Sequence, residues 1–257
     1  VLTLSHTNAI WKERMPNHTY NEYQIRKDEP VNARYYYRTN GLVNLDKSNM
    51  PSYQPEAYQK PGCPIIVDLN GDGLITVEDV DMKNVIPSLY WGFGNTFTYK
   101  NWDLDVFIYS QLGVDKYNDV YSWTSGRGLG NQTNNMSVYI KDVWHSELNP
   151  NGTIPGIAYE MASVSLPGGA GTDIGYENSS FVRVRNITLG YNFKPNQLGA
   201  LSKLLSGIRV YVDVQNPFTF TGYTGLDPEV NTGGNYKGGK AEYPQTRTFS
   251  LGAKLSF

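Results

Sequence analysis

Apolar and polar residues alternate along positions 88–112 with a period of two. The apolar positions before Lys100-Asn101 are Leu89, Trp91, Phe93, Phe97 and Tyr99, and those after it are Trp102, Leu104, Val106, Ile108 and Leu112. This period predicts β-strands, because an α-helix repeats about every 3.6 residues. A two-residue turn at 100–101 would set Tyr99 opposite Trp102, Phe97 opposite Leu104 and Phe93 opposite Ile108. Both apolar rows then lie on one face of a predicted hairpin, 88–99 and 102–112.

The same alternation predicts further strands. They are 2–7, 34–43, 180–193, 207–220 and 243–257. Within 180–193 the apolar positions change from even (Val182, Val184) to odd (Ile187, Leu189). Either a β-bulge near Asn186 or a strand end that leaves a bilayer would explain this change.

Composition limits the classes of protein to which the chain can belong. Of its 257 residues, 13% are aromatic and 26 are Gly, a mixture that favours strands and polar turns. The net charge of −2 gives no sign of a nucleic-acid partner. Cys63 is the only cysteine, so an internal disulfide is excluded. The chain has no apolar run near the roughly 20 residues that a membrane helix needs, although β-barrel strands do not need such a run.

Two architectures fit these strands. One is a soluble β-sandwich with one buried face, and the other is the wall of an antiparallel transmembrane β-barrel. The barrel is favoured because the second face of each strand is small or charged and because aromatic residues gather at strand ends. The alternation of short and long connections also favours a barrel. The predicted fold class is therefore all-β, with about seven strands of a barrel wall.

Several motifs along most of the chain resemble one family. The last residues, with Gly252, Leu255 and Phe257, resemble the terminal assembly signal of outer-membrane proteins. In order, YYYRTNGLV (35–43), DLNGDGLIT (68–76), SSFVRVRNITLGYNF (179–193) and VYVDVQNPFTFTGYTGLDPE (210–229) resemble stretches of the SusC-like (SusC/RagA family) TonB-dependent transporters. DVWHSELNPNGTIP (142–155) resembles a further stretch, with His145-Ser146 where the family has Thr-Pro.

This resemblance implies a place in the outer membrane of a Gram-negative cell. The family's barrel has about 22 strands around an N-terminal plug, so residues 1–257 are expected to be the C-terminal part of a longer polypeptide, without the plug. It implies import of oligosaccharide or peptide, a SusD-like lipoprotein lid and TonB acting through the plug. With Phe257 at the periplasmic end, 194–206 and the turn 100–101 are periplasmic. Residues 44–87, 113–179 and 221–242 are then extracellular loops.

Residues 68–79, DLNGDGLITVED, match the calcium loop of an EF-hand. Asp68, Asn70, Asp72, Leu74, Thr76 and Asp79 occupy the ligand positions, the Leu74 ligand being its carbonyl oxygen. Gly73 falls where that loop turns sharply. Asp79 stands where EF-hands have Glu, and a turn without metal is the alternative. Oxygen ligands select calcium, which would brace the extracellular loop.

Other candidate chemistry is sparse. The three histidines are far apart, and no nucleophile or phosphate-binding motif is present, so no enzyme activity is expected. Loop aromatics Tyr117, Tyr121, Trp123 and Tyr223 are candidates for stacking on substrate, with loop packing as the alternative. The competing function is a secreted, calcium-stabilised carbohydrate-binding or adhesin module. A dockerin-bearing glycosidase would need a second calcium loop and an assigned carboxylate pair, and the sequence provides neither.

Overall fold

Eleven strands form the framework of the described residues. The computed structural model describes residues 34–118, 121, 136–156, 166–167, 171–230 and 243–257. In chain order the strands are β1 Arg34–Tyr37, β2 Thr39–Leu42, β3 Pro64–Ile66, β4 Val80–Lys83, β5 Leu89–Tyr99, β6 Trp102–Leu112, β7 Asp115–Tyr117, β8 Tyr176–Asn178, β9 Phe181–Phe193, β10 Gly207–Thr221 and β11 Thr248–Ser256. Short 3-10 helices cover Glu56–Tyr58, Val138–Asp142, Pro195–Gln197 and Gly199–Lys203. Within these ranges no helix is long and apolar enough to cross a membrane.

The five longest strands form one antiparallel sheet in the order β11-β10-β9-β6-β5. This sheet belongs to a compact unit of residues 87–113, 178–231 and 242–257. The hairpin of β5 and β6 has the predicted register, with Tyr99 opposite Trp102 and Phe97 opposite Leu104. The predicted strands 88–99, 102–112, 180–193 and 207–220 are confirmed, and the strand predicted over 243–257 begins at Thr248.

A bulge at Arg185 keeps β9 in phase with its neighbours. Asn186 lies opposite Phe107 of β6, but Val184 lies opposite Ile108, so Arg185 is one extra residue. On the other side, Asn216 and Pro217 of β10 occupy the same irregularity, and Asn216 has a φ of 50°. Pro217 has no N–H to donate, which is tolerated at a bulge. The predicted bulge near Asn186 is thus confirmed, and it returns Val182 and Val184 to the face that carries Ile187.

The two faces of this sheet differ sharply in chemistry. Side chains at paired positions of successive strands form rows across the sheet, and one apolar row contains Phe97, Leu104, Leu189, Val212 and Leu251. Leu251 in that row is 78% exposed, and Phe97 is 57% exposed. The adjacent row on the opposite face contains Thr96, Asp105, Thr188, Asp213 and Ser250. A continuous exposed apolar face is typical of a surface that contacts a protein partner or a membrane.

A second compact unit contains residues 1–86, 114–177 and 232–241. Its described part has three two-stranded sheets, β1-β4, β2-β3 and β7-β8. Its buried core consists of Tyr35, Tyr37, Tyr58, Cys63, Ile66, Val80 and Leu166. The stretches predicted as loops 44–87 and 113–179 therefore contain short strands and buried residues of their own.

The prediction of one strand over 34–43 is wrong. The chain forms two strands there, and β1 pairs with β4 whereas β2 pairs with β3. Tyr35, Tyr36 and Tyr37 are all buried, so this segment is covered on both sides and is not a half-exposed wall strand. Gly41 has a φ of 75°, which bends β2 away from a regular course. The predicted strand 2–7 lies outside the described residues.

Candidate functional site

The polar face of the five-stranded sheet carries an ion-pair cluster near the β5–β6 turn. Asp103 accepts a hydrogen bond from Asn192 Nδ2 at 2.6 Å and is in contact with the guanidinium of Arg209. Gly190 lies directly beneath this pair, and a Cβ there would stand 2.6 Å from Asp103 Oδ2. The glycine therefore allows the Arg209 side chain to lie flat against the sheet. Further along the same face, Thr188 donates to Asp213 at 2.6 Å.

A second, more deeply buried ion-pair cluster lies at the opposite end of this face. Arg183 is 1% exposed and lies at the centre of the cluster. Its Nη2 donates to both oxygens of Asp227, at 2.9 and 3.0 Å, and its Nη1 donates to Glu229 Oε2 at 2.6 Å. Its Nε donates to Thr219 Oγ1 at 2.9 Å. Arg185, at the bulge, contacts Glu229 at 3.4 Å with its side chain 41% exposed.

These contacts fix the segment after β10 against the polar face. Asp227 also accepts hydrogen bonds from the backbone N–H groups of Glu229 at 2.8 Å and Gln245 at 3.0 Å. Burial alone would raise the pKa of the Asp227 carboxyl. The Glu229 N–H, the Arg183 guanidinium and the Gln245 N–H together hold that pKa below its usual range. Asp227 is therefore ionised at neutral pH, and it ties both ends of the loop 222–247 to β9.

The sequence reasoning did not identify this cluster as a site. The signals were present: Arg183 and Arg185 interrupt an apolar stretch, and Asp227-Pro-Glu229 follows a strand. Arg183 and Asp227 are 44 residues apart, so the pairing depends on how β10 returns beside β9.

The predicted calcium loop curls as its glycines require. Gly71 and Gly73 have φ values of 77° and 82°, which favour glycine. Asp68 accepts hydrogen bonds from the N–H groups of Gly71 at 2.7 Å and Gly73 at 2.8 Å. Partial desolvation would raise the pKa of Asp68, but these N–H groups hold it below its usual range. Asp72 accepts from the N–H of Leu74 at 2.8 Å.

Asp79 is the buried centre of the same loop. Its Oδ1 accepts from the N–H groups of Leu69 at 3.0 Å and Asn70 at 3.3 Å, and its Oδ2 accepts from the N–H of Thr76 at 2.7 Å. The hydroxyl of Tyr37 lies 2.9 Å from the carbonyl oxygen of Thr76, which connects the loop to the core of its unit. Burial, and secondarily the charge of Asp79, raises the pKa of Tyr37.

The side-chain oxygens of the predicted calcium loop are suited to a hard cation. Several of them already accept hydrogen bonds from backbone N–H groups. Across the described residues, no group of three or more His, Cys, Asp or Glu side chains is placed to hold a metal ion. The ligand positions include the amide oxygen of Asn70 and the carbonyl oxygen of Leu74 as well as carboxylates. A carboxylate has about four acceptor positions, so an oxygen that accepts an N–H retains capacity to ligate. Asn70 and Asp72 are exposed on the curl and Asp68 is half-buried, whereas Asp79 is fully buried.

The described candidate aromatic residues pack within their own parts of the fold. Tyr117 packs against Tyr176 with ring centroids 5.2 Å apart, and Tyr121 packs against Tyr139 at 5.4 Å. Tyr223 is only 7% exposed, and its ring covers Gly225. Trp123 lies outside the described residues. The rings of Tyr117, Tyr121 and Tyr223 therefore make loop-packing contacts, and their role toward a substrate stays a prediction.

The residues of the predicted assembly signal lie on and just after the edge strand β11. Gly252 pairs with Tyr211, whose ring would lie 2.3 Å from a Cβ at that position. Leu255 is half-exposed on the apolar face opposite Ile208, and Phe257 follows the strand with 82% exposure. Gly252 therefore also has a packing role, since it makes room for the Tyr211 ring.

Replacing Arg183 with Met should release the loop 222–230 from the sheet. Removing one partner of a buried ion pair costs about 3–5 kcal/mol, because the remaining carboxylates stay buried without their cation. Hydrogen exchange of 222–230 in the complete receptor should rise strongly. The matched control, Arg185→Met, breaks an exposed ion pair with Glu229 worth about 0–1 kcal/mol and a cation–π contact with Tyr109, and leaves the Arg183–Asp227 pair in place. Equal exchange in the two variants would contradict the assigned role of Arg183.

The same loop should respond to acid. The pKa of Asp227 is depressed in the fold, so its stabilisation is complete above the unfolded value of about 3.9. It is lost as the pH falls through the folded pKa. Hydrogen exchange of 222–230 should therefore stay constant from neutral pH to about 4, after correction for intrinsic rates, and rise below it. If hydrogen exchange instead begins to rise near neutral pH, a group other than Asp227 controls the stability of this loop.

Sequence comparison places the chain among TonB-dependent receptors. No protein-family model matches the chain. It is 33% identical over 208 residues to the TonB-dependent receptor SusC of Bacteroides thetaiotaomicron, covering 79% of this chain and 19% of that protein. It is 28% identical over 242 residues to the TonB-dependent receptor P3 of Formosa agariphila, covering 91% of this chain and 23% of that protein. The chain thus spans less than a quarter of either relative.

Solved structures support the same relationship at the level of fold. The RagAB peptide transporter matches 95% of this chain with a TM-score of 0.63 and 22% identity, over 24% of its own chain. The RagAB peptide importer in an open-open state matches 90% of this chain with a TM-score of 0.61. Both matches are to an all-β barrel protein, so the fold class predicted from the strand pattern is confirmed. The resemblance to the SusC-like TonB-dependent receptors is therefore confirmed, by sequence similarity and by fold.

Proposed function

We propose that this chain forms part of the barrel wall and the outer loops of a TonB-dependent importer in a Gram-negative outer membrane. The observation that carries the proposal is the five-stranded sheet with one apolar and one polar face, in a chain similar to TonB-dependent receptors. The apolar face faces lipid, and the polar face lines the interior through which substrate passes. The chain contributes binding surface and structure, and no catalysis, because the proteins it resembles are receptors and transporters.

The exposed apolar face supports this proposal over a secreted binding module. Leu189, Val212 and Leu251 in one apolar row are 44%, 47% and 78% exposed. A soluble adhesin or carbohydrate-binding module would bury such a row against a second sheet. In a barrel wall the row contacts acyl chains, and each strand needs only about 10 residues to cross the bilayer.

Peptide or oligosaccharide is the proposed cargo. The solved structures that match this chain are of a peptide importer, and the resemblance to SusC-like transporters implies oligosaccharides as the alternative. The same resemblance implies a SusD-like lipoprotein lid at the outer surface, and TonB coupling through a plug domain. Exposed Val138 and Ile140 on the 3-10 helix Val138–Asp142 are the described apolar residues that support a docking surface for the lid.

Uptake by cells that carry the complete receptor tests this function. Cells are given fluorescent oligopeptides or oligosaccharides, with and without the receptor and with and without TonB. Uptake of one cargo class that requires both proteins is the expected result. Uptake of neither class, or uptake that persists without TonB, would contradict the proposal.

Calcium at residues 68–79 stays a prediction. The curl at Gly73 supports it, and so do the oxygens of half-buried Asp68 and of exposed Asn70 and Asp72. Asp79 would contribute mainly by holding the loop closed, because its oxygens accept hydrogen bonds from Leu69, Asn70 and Thr76. Calcium would neutralise the carboxylates and brace this segment at the outer surface.

Arginine on the apolar face should disturb assembly far more than arginine on the polar face. Leu251→Arg places a charge in contact with acyl chains and should cost about 2–4 kcal/mol near the midplane. Its neighbour Ser250 points to the opposite face, so Ser250→Arg should cost much less. The fraction of heat-modifiable, folded receptor in outer membranes measures the difference. Equal losses would contradict the proposed facing of the sheet.

Removing calcium should loosen residues 68–79 and leave the barrel strands intact. Limited proteolysis with and without chelator should show new cleavage within 60–85 only when calcium is removed. Asp72→Asn should show that cleavage even with calcium, because Asp72 is exposed and its amide replacement is a weaker ligand. Asp79→Asn should loosen the loop under both conditions, because it disturbs the internal hydrogen bonds. Cleavage that does not respond to chelator would mean that the loop keeps its shape without metal.

A further inference from the structure

The turn between β9 and β10 carries a stripe of leucines. Residues 195–203 form two short 3-10 helices, Pro195–Gln197 and Gly199–Lys203. Leu198, Leu201 and Leu204 recur at every third position, and a 3-10 helix has three residues per turn. Leu201 and Leu204 therefore lie one 3-10 turn apart on the same edge, whereas Gly199, with a φ of 56°, separates Leu198 from them. Leu201 and Leu204 are 54% and 69% exposed, whereas the neighbouring Leu205 is buried.

Hydrogen bonds hold this turn against the end of the five-stranded sheet. Gln197 Nε2 donates to the hydroxyl of Tyr191 at 3.1 Å, and Asn101 Nδ2 donates to Gln197 Oε1 at 2.8 Å. The N–H of Ser206 donates to the carbonyl oxygen of Ser256 at 2.8 Å. The turn is therefore fastened to the β5–β6 hairpin at one end and to β11 at the other. Tyr191 lies on the apolar face, so its bond to Gln197 brings the turn next to that face.

The same end of the apolar face is lined with aromatic rings. Trp102 and Tyr191 have ring centroids 4.8 Å apart, and Tyr191 and Phe193 have theirs 4.7 Å apart. Tyr99, opposite Trp102, is 70% exposed. Rings of this kind lie at the level of lipid headgroups in barrel proteins. The leucine stripe thus continues an apolar surface at the depth where bilayer and water meet.

Basic side chains accompany the stripe. Lys194 and Lys203 are exposed on the turn, and exposed Lys100 lies in the adjacent hairpin turn. The ammonium of Lys100 stands 5.3 Å from the ring centroid of Tyr99, within the belt of rings. Lysines beside exposed apolar residues place their stems on lipid and their charge on headgroup phosphates. The described part of the turn contains no carboxylate to oppose them.

We propose that residues 194–206 form an interfacial anchor that inserts Leu201 and Leu204 into the adjacent phospholipid leaflet. Lys203 and Lys194 then face the headgroup phosphates. This inference rests on the proposed membrane placement of the sheet and adds a second contact with lipid, made by a connection and not by a strand. The anchor would hold the ends of β9 and β10 at a fixed depth.

Fluorescent labelling of the complete receptor in phospholipid vesicles tests the anchor. A polarity-sensitive dye is attached to Leu204→Cys, to Leu251→Cys in the middle of the apolar face, and to Leu45→Cys, an exposed leucine of the other unit. Parent receptor, treated in the same way, supplies the background from native cysteines, Cys63 among them. Quenchers are iodide in water, a nitroxide near the lipid headgroup, and a nitroxide deep in the acyl chain.

The anchor predicts a distinct pattern for each label. The label of Leu204→Cys should lose most fluorescence to the headgroup nitroxide, that of Leu251→Cys to the deep nitroxide, and that of Leu45→Cys to iodide. Iodide quenching of Leu204→Cys as strong as that of Leu45→Cys would overturn the anchor. Protection of Leu204→Cys from all three quenchers would also overturn it, because a protein partner would then cover the turn. If neither nitroxide quenches the label of Leu251→Cys, the proposed membrane placement of the sheet is wrong. That outcome distinguishes failure of the proposed function from failure of the anchor alone.

Discussion

The structure depends on the pairing register of one antiparallel sheet. Because side chains alternate between faces, a slip of one residue in any strand would exchange the apolar and the polar face. The bulge at Arg185, opposite Asn216 and Pro217, absorbs the one extra residue of β9. Without it, Val182 and Val184 would point to the polar side and Arg183 to the apolar side. The two-faced sheet, and with it the proposed contact with lipid, therefore depends on this local irregularity.

The polar face organises its charges in pairs. Asp103 with Arg209 at one end, and Arg183 with Asp227 and Glu229 at the other, are satisfied by side chains of neighbouring strands and of the loop after β10. Two glycines make room for side chains on this face. A Cβ at Gly190 would collide with Arg209, and a Cβ at Gly252 would collide with Tyr211. Asp227 fixes the base of the loop after β10 through its contacts with Arg183, Glu229 and Gln245.

Local pattern predicted the sheet well and the rest of the chain less well. The register of β5 and β6 followed from one two-residue turn, and the curl of 68–79 followed from glycines at fixed offsets. Burial on both sides of Tyr35–Tyr37 could not be read from alternation, because a short apolar run does not show what covers it. The contacts of Arg183 with Asp227 and of Asn101 with Gln197 arise only when segments distant in sequence meet. The burial of Asp79 likewise depends on the core around Tyr37.

The central claim is that one face of this sheet meets lipid and the other meets water. The most direct measurement is a cysteine scan along Ile208–Gln215 of β10 in the complete receptor, with each position probed by a water-soluble thiol reagent in intact membranes. The account predicts that reactivity alternates along the strand. Cysteines on the polar face should react, at positions Arg209, Tyr211, Asp213 and Gln215. Cysteines on the apolar face should be protected until the bilayer is dissolved, at positions Ile208, Val210, Val212 and Val214. Uniform reaction along both rows, unchanged by dissolving the bilayer, would contradict a barrel wall.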